Sequence, residues 1–357
     1  MFMRLWWSLR SALALVLTGM SVLTGCAVGG GAAGSADSVT TLPIEVPVHE
    51  PIWSHDTGDM LALTEKSSRI ARIDPGARSS GTGSTARTTL SARLPDTGEN
   101  LALSPTGSEE VYLPQPALGR IAVFDIANLH RVGTLPTGHT PSRVATDVGS
   151  DILFALSKSG RTVTGTNLNN STSIPPVEVR AGPEAELHGP ERGRPAEFFV
   201  LGPRGIAVYE GHPAPLEKTD DIGIGVSAVA GDTIKVSRVY VAEAGTDRLL
   251  AVGLDKQGKH LRVAAEARLG EPVEHLGVDH TRIYAATHNK LVVLETNSFT
   301  GFEHGHFTKV DTIEFRRHLE NRALRNAPLS GLAVGSDRVY LTLRGQPAAV
   351  SIDKPSL

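Results

Sequence analysis

One short pattern is written seven times between Glu50 and the C-terminus. Each unit opens with a turn and a short apolar strand, as in Pro51-Ile-Trp-Ser, Glu99-Asn-Leu-Ala-Leu-Ser-Pro-Thr-Gly, Pro141-Ser-Arg-Val-Ala-Thr-Asp, Pro272-Val-Glu-His-Leu-Gly-Val-Asp and Pro328-Leu-Ser-Gly-Leu-Ala-Val-Gly. A second strand follows at once, as in Met60-Leu-Ala-Leu, Val111-Tyr-Leu, Ile152-Leu-Phe-Ala-Leu, Val239-Tyr-Val-Ala, Ile283-Tyr-Ala-Ala and Val339-Tyr-Leu-Thr-Leu. The third is Ile70-Ala-Arg-Ile-Asp, Ile121-Ala-Val-Phe-Asp, Ile206-Ala-Val-Tyr-Glu, Leu291-Val-Val-Leu-Glu or Ala348-Ala-Val-Ser-Ile-Asp. Units start near residues 50, 99, 141, 183, 225, 272 and 328. A self-similarity of this length, built from short strands, belongs to four-stranded blades arranged in a ring. The chain is therefore expected to be all-β, a seven-bladed β-propeller over residues 39–357.

A propeller must close its ring, because first and last blades otherwise expose unpaired sheet edges. Blade 7 shows three strands and then the chain ends at Leu357, whereas Thr40-Thr-Leu-Pro-Ile-Glu-Val-Pro is an orphan extended segment ahead of blade 1. Residues 40–48 are expected to complete blade 7. Two segments interrupt the period, Gly76 to Thr88 in blade 1 and Thr300 to Ala327 in blade 6, and within the second Glu314 to Arg325 reads as a short charged helix.

The N-terminus carries an address. Arg4 and Arg10 give a basic start, Ser11 to Leu23 is apolar but short for a membrane span, and Leu23-Thr24-Gly25-Cys26 closes it. This tract resembles a bacterial lipobox. The resemblance implies a signal peptide over 1–25, diacylglycerol attachment at Cys26, and a new N-terminus that can be acylated as well. An ordinary signal peptide or an uncleaved anchor is the alternative. Residues 26–38 are rich in Gly, Ala and Ser and read as a flexible linker. Cys26 is the sole cysteine, so the exported part has no disulfide and no cysteine nucleophile or cysteine metal site.

The repeat phrases Leu101-Ala-Leu-Ser-Pro-Thr-Gly, Val111-Tyr-Leu and Ile121-Ala-Val-Phe-Asp resemble the YVTN type of seven-bladed propeller, a family related in architecture to bacterial lactonase-like propellers. With the lipobox, the chain is also similar to actinobacterial lipoproteins of the LppL type. The resemblance covers almost the whole mature chain and implies a lipid-anchored protein on the extracytoplasmic face of the cell membrane. Propellers host binding modules, lyases, lactonases and quinoproteins alike, so architecture leaves function open.

Signatures of chemistry are thin. No phosphate-cradling Gly-rich loop, Gly-x-Ser-x-Gly elbow or His-Glu-x-x-His helix is present. Trp53 is the only tryptophan after Cys26, too few for stacked cofactor docking, and no cofactor is expected. A formal charge of −3 argues against nucleic acid as a partner. Six of the 13 histidines fall between residues 275 and 318. His304-Gly305-His306, if extended, would set two imidazoles about 6.6 Å apart on one side, which makes them candidate metal ligands, although exposed histidines in a polar insert are the plainer reading. For an enzyme of lyase or lactonase type, the acid and base candidates are His275, Glu274 and His288.

A second constellation follows the repeat. The residue opening the third strand is Arg69, Arg120, Arg161, Arg204 and Arg248 in blades 1 to 5, Lys290 in blade 6 and Pro347 in blade 7. Lys and Arg make up 35 of 357 residues, so seven positions drawn at random would hold fewer than one. Strands alternate direction across a blade, so these positions share a face with the starts of the first strands, where Glu50, Glu99, Glu184, Glu271 and Glu274 lie. A basic ring outside a patchy acidic one either locks blade register through ion pairs or attracts an anionic partner. The expected function is a lipid-anchored, monomeric binding or scaffolding module for an envelope protein or cell-wall ligand, with the propeller enzyme as the alternative.

Overall fold

A computed structural model describes residues 39–76, 86–105, 109–190, 195–211, 215–234, 237–297 and 302–356. Seven four-stranded antiparallel sheets form seven blades. Their first strands begin at Val48, Ala102, Pro141, Glu186, Val226, Val273 and Leu329, within three residues of the expected unit starts. Second strands such as Asp59–Thr64, Ile152–Ser157 and Arg282–Thr287 are buried along their whole length. Continuous apolar strands of this kind suit a sheet covered on both faces. Fourth strands such as Thr172–Glu178 and Glu217–Ile222 are mostly exposed and form the outer rim.

The blades are cemented pairwise. Seven buried apolar clusters each draw on two adjacent blades, including one that joins Leu42, Ile44 and Tyr340 of blade 7 to Met60, Ala62 and Ile73 of blade 1. An open stack of seven sheets would have only six such junctions. Closure comes from the strand Val39–Pro43, which pairs antiparallel with Ala348–Asp353 from Val39 opposite Ile352 to Pro43 opposite Ala348. The closing strand is shorter than the 40–48 expected. After Pro43 the chain bends, the Ile44 amide still donates to the Pro347 carbonyl at 3.0 Å, and Val48 already begins blade 1. Across this junction Trp53 stacks on Tyr340 at 5.3 Å, and the Ser330 hydroxyl donates to the Val48 carbonyl at 2.7 Å.

The interruptions are smaller than the sequence suggests. Arg87–Leu90 is the fourth strand of blade 1, and Lys309–Ile313 is the fourth strand of blade 6, inside the segment read as an insert. The helix expected over Glu314 to Arg325 is broken. A 3₁₀ turn spans Phe315–His318 with Phe315 fully buried, and a separate one-turn helix spans Arg322–Asn326. Asn321 separates them, because its extended backbone and its side chain, which accepts from the Leu324 amide, make it a helix start. No helix among the described residues is long and apolar enough to cross a membrane.

Two faces result. The upper face carries the second-to-third strand loops and the connections between blades; the lower face carries the remaining turns. On the lower face the repeat's tyrosine has a structural task. Its ring is buried on the second strand and its hydroxyl reaches the turn before it: Tyr112 to Ser104 at 3.1 Å, Tyr240 to Asp232 at 2.8 Å and Tyr284 to Asp279 at 2.9 Å. A buried phenol needs such a partner. Acids at the ends of third strands also fix turns: Asp74, Asp125 and Asp255 each accept backbone amides at 2.9 to 3.0 Å.

Asp279 ties blades 6 and 7 together. Its carboxylate accepts the Thr281 and Arg282 amides at 2.9 Å and the Lys354 ammonium at 2.9 Å, with Lys354 just past the last strand of blade 7. Burial opposes ionisation, but the Lys354 bond, the Thr281 amide and the Tyr284 hydroxyl outweigh it and hold the carboxyl at about 2. The folded value lies below the unfolded one, so this contribution is complete above pH 4 and disappears as pH falls through 2. At neutral pH, Asp279→Asn should cost roughly 1–2 kcal/mol, discounted for partial exposure. Urea unfolding across pH should show the gap between variant and wild type closing towards pH 2; a gap independent of pH would contradict the assignment.

Candidate functional site

All six basic positions flank the upper ends of third strands, but they do not form one ring of ion pairs between blades. Arg69 donates to the Ser91 carbonyl at 2.8 Å and Arg120 to the Gln115 side chain at 2.9 Å. Arg248 is matched twice within blade 5, to Glu243 at 3.0 Å and Glu266 at 2.6 Å, and Lys290 approaches Glu271 at 3.8 Å. The reason is radial position. These loops sit midway out along a blade, where long side chains meet their own sheet before they reach a neighbour's first strand.

The pairing between blades that the sequence assigned to the ring is done by a residue it did not single out. Arg143, on the first strand of blade 3, pairs with Glu99 of blade 2 at 2.9 Å and with Glu186 of blade 4 at 2.7 Å. The Ser142 hydroxyl adds a bond to Glu99 at 2.7 Å. Three blades are thereby locked around the channel mouth. Arg143 lies in the first strand, outside the position that repeats, which is why the recurring pattern did not expose it.

Two ring members remain. Arg161 and Arg204 border a cleft of about 560 Å³ between blades 3 and 4, together with Ser159, Glu178, Arg180 and Gly182. Arg161 is exposed, and among the described residues its guanidinium has no hydrogen-bond or ion-pair partner. Arg204 donates to the Arg180 carbonyl at 2.8 Å, which leaves its charge unanswered, and Arg180 pairs only with exposed Glu178 at 2.8 Å. Three guanidinium groups thus face one carboxylate. The wall is set by a close backbone approach: Ala181 and Gly182 amides donate to the Gly160 carbonyl at 2.8 and 3.1 Å. Gly160 has φ +64, and a Cβ there would fall 1.7 Å from the Gly182 carbonyl oxygen, so only glycine fits.

The acidic ring is real only at the channel. A cavity of about 190 Å³ is lined by first-strand residues of blades 1, 4, 5, 6 and 7, among them Glu50, Glu186, Glu274 and His275. Burial, then the nearby Glu186 and Glu99 carboxylates, push the Glu50 carboxyl up to about 7 against the opposing pull of Arg143. Burial lowers His275 to about 4, so its ring is neutral at pH 7.

The proposed acid–base set is only partly assembled. His288 lies 3.5 Å from Glu274, but it is half exposed and does not line the cavity that holds His275. No hydrogen bond or ion pair among the described residues joins the two histidines: Glu274 meets His288, whereas His275, just past a register shift in the strand, uses a ring nitrogen on the Leu329 backbone. His304 and His306 are both exposed, and the segment that carries them is not extended. His304 has φ +52 within a 3₁₀ turn over Glu303–Gly305, so the same-side spacing of a strand does not apply. No group of three His, Cys, Asp or Glu among the described residues could hold a metal. Cys26, the signal segment 1–25 and the linker 26–38 lie outside the described residues.

Solved structures share this architecture at low identity. The structure of U3-55K matches with TM-score 0.63 and 12% identity over 89% of this chain and 99% of its own. The RRP9 WD40 repeats match with TM-score 0.65 and 12% identity, covering 90% and 98%. A chain from the mitotic checkpoint complex gives TM-score 0.66 and 12% identity, covering 95% and 100%. At that identity the likeness establishes the fold alone. The chain is an all-β, seven-bladed propeller. No protein-family model and no curated protein sequence matches it.

Proposed function

We propose that this protein is a lipid-anchored binding module of the cell envelope, in which the arginine-lined cleft between blades 3 and 4 takes an anionic group of an envelope protein or wall polymer. The observation that carries the reading is the cleft's charge: Arg161, Arg180 and Arg204 around about 560 Å³, with Glu178 the one acid in the lining. Elsewhere in the ring Arg248 and Lys290 face carboxylates, and Arg69 and Arg120 are hydrogen-bonded within their own blades. An open cleft of one sign raises the local concentration of an oppositely charged partner. The YVTN and LppL-type resemblance of the sequence, the lipobox ending at Cys26 and the protein-assembly context of a structural neighbour support the same reading.

Replacing Arg161 and Arg180 together by Gln should weaken binding of labelled polyphosphate about tenfold and flatten its salt dependence, since two exposed charge contacts contribute roughly 0.5–1 kcal/mol each. The melting temperature should be unchanged. Unaltered binding, or a fall in melting temperature that accounts for the loss, would sink the cleft as the site. Cys26→Ala should move the protein from the membrane fraction to the soluble fraction without unfolding it; retention on the membrane would show that the propeller itself holds the bilayer.

A further inference from the structure

Carboxylates dominate the polar side chains that line the channel cavity. Glu50, Glu186 and Glu274 bring three carboxylates to it from blades 1, 4 and 6. His275 uses one ring nitrogen on the Leu329 backbone and, being neutral, keeps a bare acceptor nitrogen. Arg143 is the cation that acts on Glu50, and both of its terminal nitrogens are engaged, one on Glu99 and one on Glu186; Arg344 acts on His275 and Arg316 on Glu274 from the neighbouring side.

Glu50 is the residue left over. Its side chain lines the cavity and is enclosed by protein on the other sides, yet it makes no hydrogen bond and no ion pair among the described residues. It also holds φ +47, a conformation that a non-glycine side chain adopts at a cost. A carboxylate kept there without a partner is an uncompensated group that a bound cation would satisfy.

The lining selects the kind of cation. Leu276 and Leu332 give the cavity an apolar wall beside the carboxylates, which suits a short alkyl stem. A small metal ion would need several ligands converging at short distance, and no group of that kind occurs among the described residues. We propose that the channel mouth binds a primary alkylammonium group, with the nitrogen on Glu50 and the carbon stem against Leu276 and Leu332. The ligand is either a free amine or a lysine side chain of a partner. This site is independent of the arginine cleft, and it uses the pocket assigned above to no reaction.

Binding also moves a proton. Glu50 feels Glu186, Glu99 and Arg143 at the mouth, and Glu274 and His275 belong to the same lining. Burial raises the Glu50 carboxyl to about 7, so an ammonium bound beside it at neutral pH displaces protons from it.

The test is isothermal titration of the full-length protein, or of the soluble Cys26→Ala form, with n-butylamine and with lysine capped as its Nα-acetyl methylamide. Runs at pH 7 in buffers of different ionisation enthalpy read the proton count. Saturable binding with release of a fraction of a proton, lost in both Glu50→Gln and Glu186→Gln while their melting curves match wild type, is the expected result. Glu186→Gln acts by freeing Arg143 to occupy Glu50. Binding of both probes assigns the site to a lysine side chain, and binding of butylamine alone assigns it to a free amine. No saturable heat with either probe, equal binding by Glu50→Gln, or tighter binding of calcium than of butylamine would overturn the proposal.

Discussion

Everything above depends on one five-residue ladder. A propeller is a strip of sheets bent until its ends meet, and the meeting point has to be held by something stronger than surface contact. Here Val39–Pro43 contributes the outer strand of the last blade, so the two ends of the propeller share a single sheet. Main-chain hydrogen bonds satisfy the edge, and the apolar cluster around Leu42 and Ile44 welds blade 7 to blade 1. Only in a closed ring do seven first strands surround a channel, and only then do Glu50 of blade 1 and Glu274 of blade 6 border the same cavity. The functional geometry is a product of closure.

Closure also separates the two faces by task. The lower face is consolidated: tyrosine hydroxyls on turn acids, capped third-strand ends and the Asp279–Lys354 pair spend its polar groups on holding the blades. The upper face keeps polar groups in reserve. Among the described residues Arg161 and Arg204 make no ion pair there, and Glu50 makes no hydrogen bond or ion pair. The lower face is spent on structure, whereas the upper face combines the Arg143 lock with charges left unpaired among the described residues.

The sequence shows the architecture because architecture is written in strands. Second strands must be apolar on both faces to fill two inter-blade clusters, so Met60-Leu-Ala-Leu and Ile283-Tyr-Ala-Ala announce themselves and recur. Weak elements are less visible. The first strand of blade 2 has only two residues, and Lys309–Ile313 is polar enough to pass for part of a loop. The broken helix after Glu314 turns on a single cap at Asn321. The site was harder still. The positions of Arg161 and Arg204 recur, but whether a guanidinium is spent depends on contacts made by a long side chain in three dimensions. Arg120 finds Gln115 five residues away, whereas Arg161 makes no hydrogen bond or ion pair among the described residues. Arg180 and Arg143 lie outside the repeating position, and no periodicity points to them. Glu50 and Glu274 were legible as acids near the starts of first strands; that one is isolated and the other is near His288 is a fact of packing.

The most direct measurement of the central claim, that the upper face is the binding face, is hydrogen–deuterium exchange of the protein on intact cells against the purified protein. The account predicts slowed exchange in the envelope at residues 158–161, 178–183 and 203–205, which form the arginine cleft, with the lower turn at 255–260 unchanged. Protection confined to the lower turn, or none on the upper face, would contradict it.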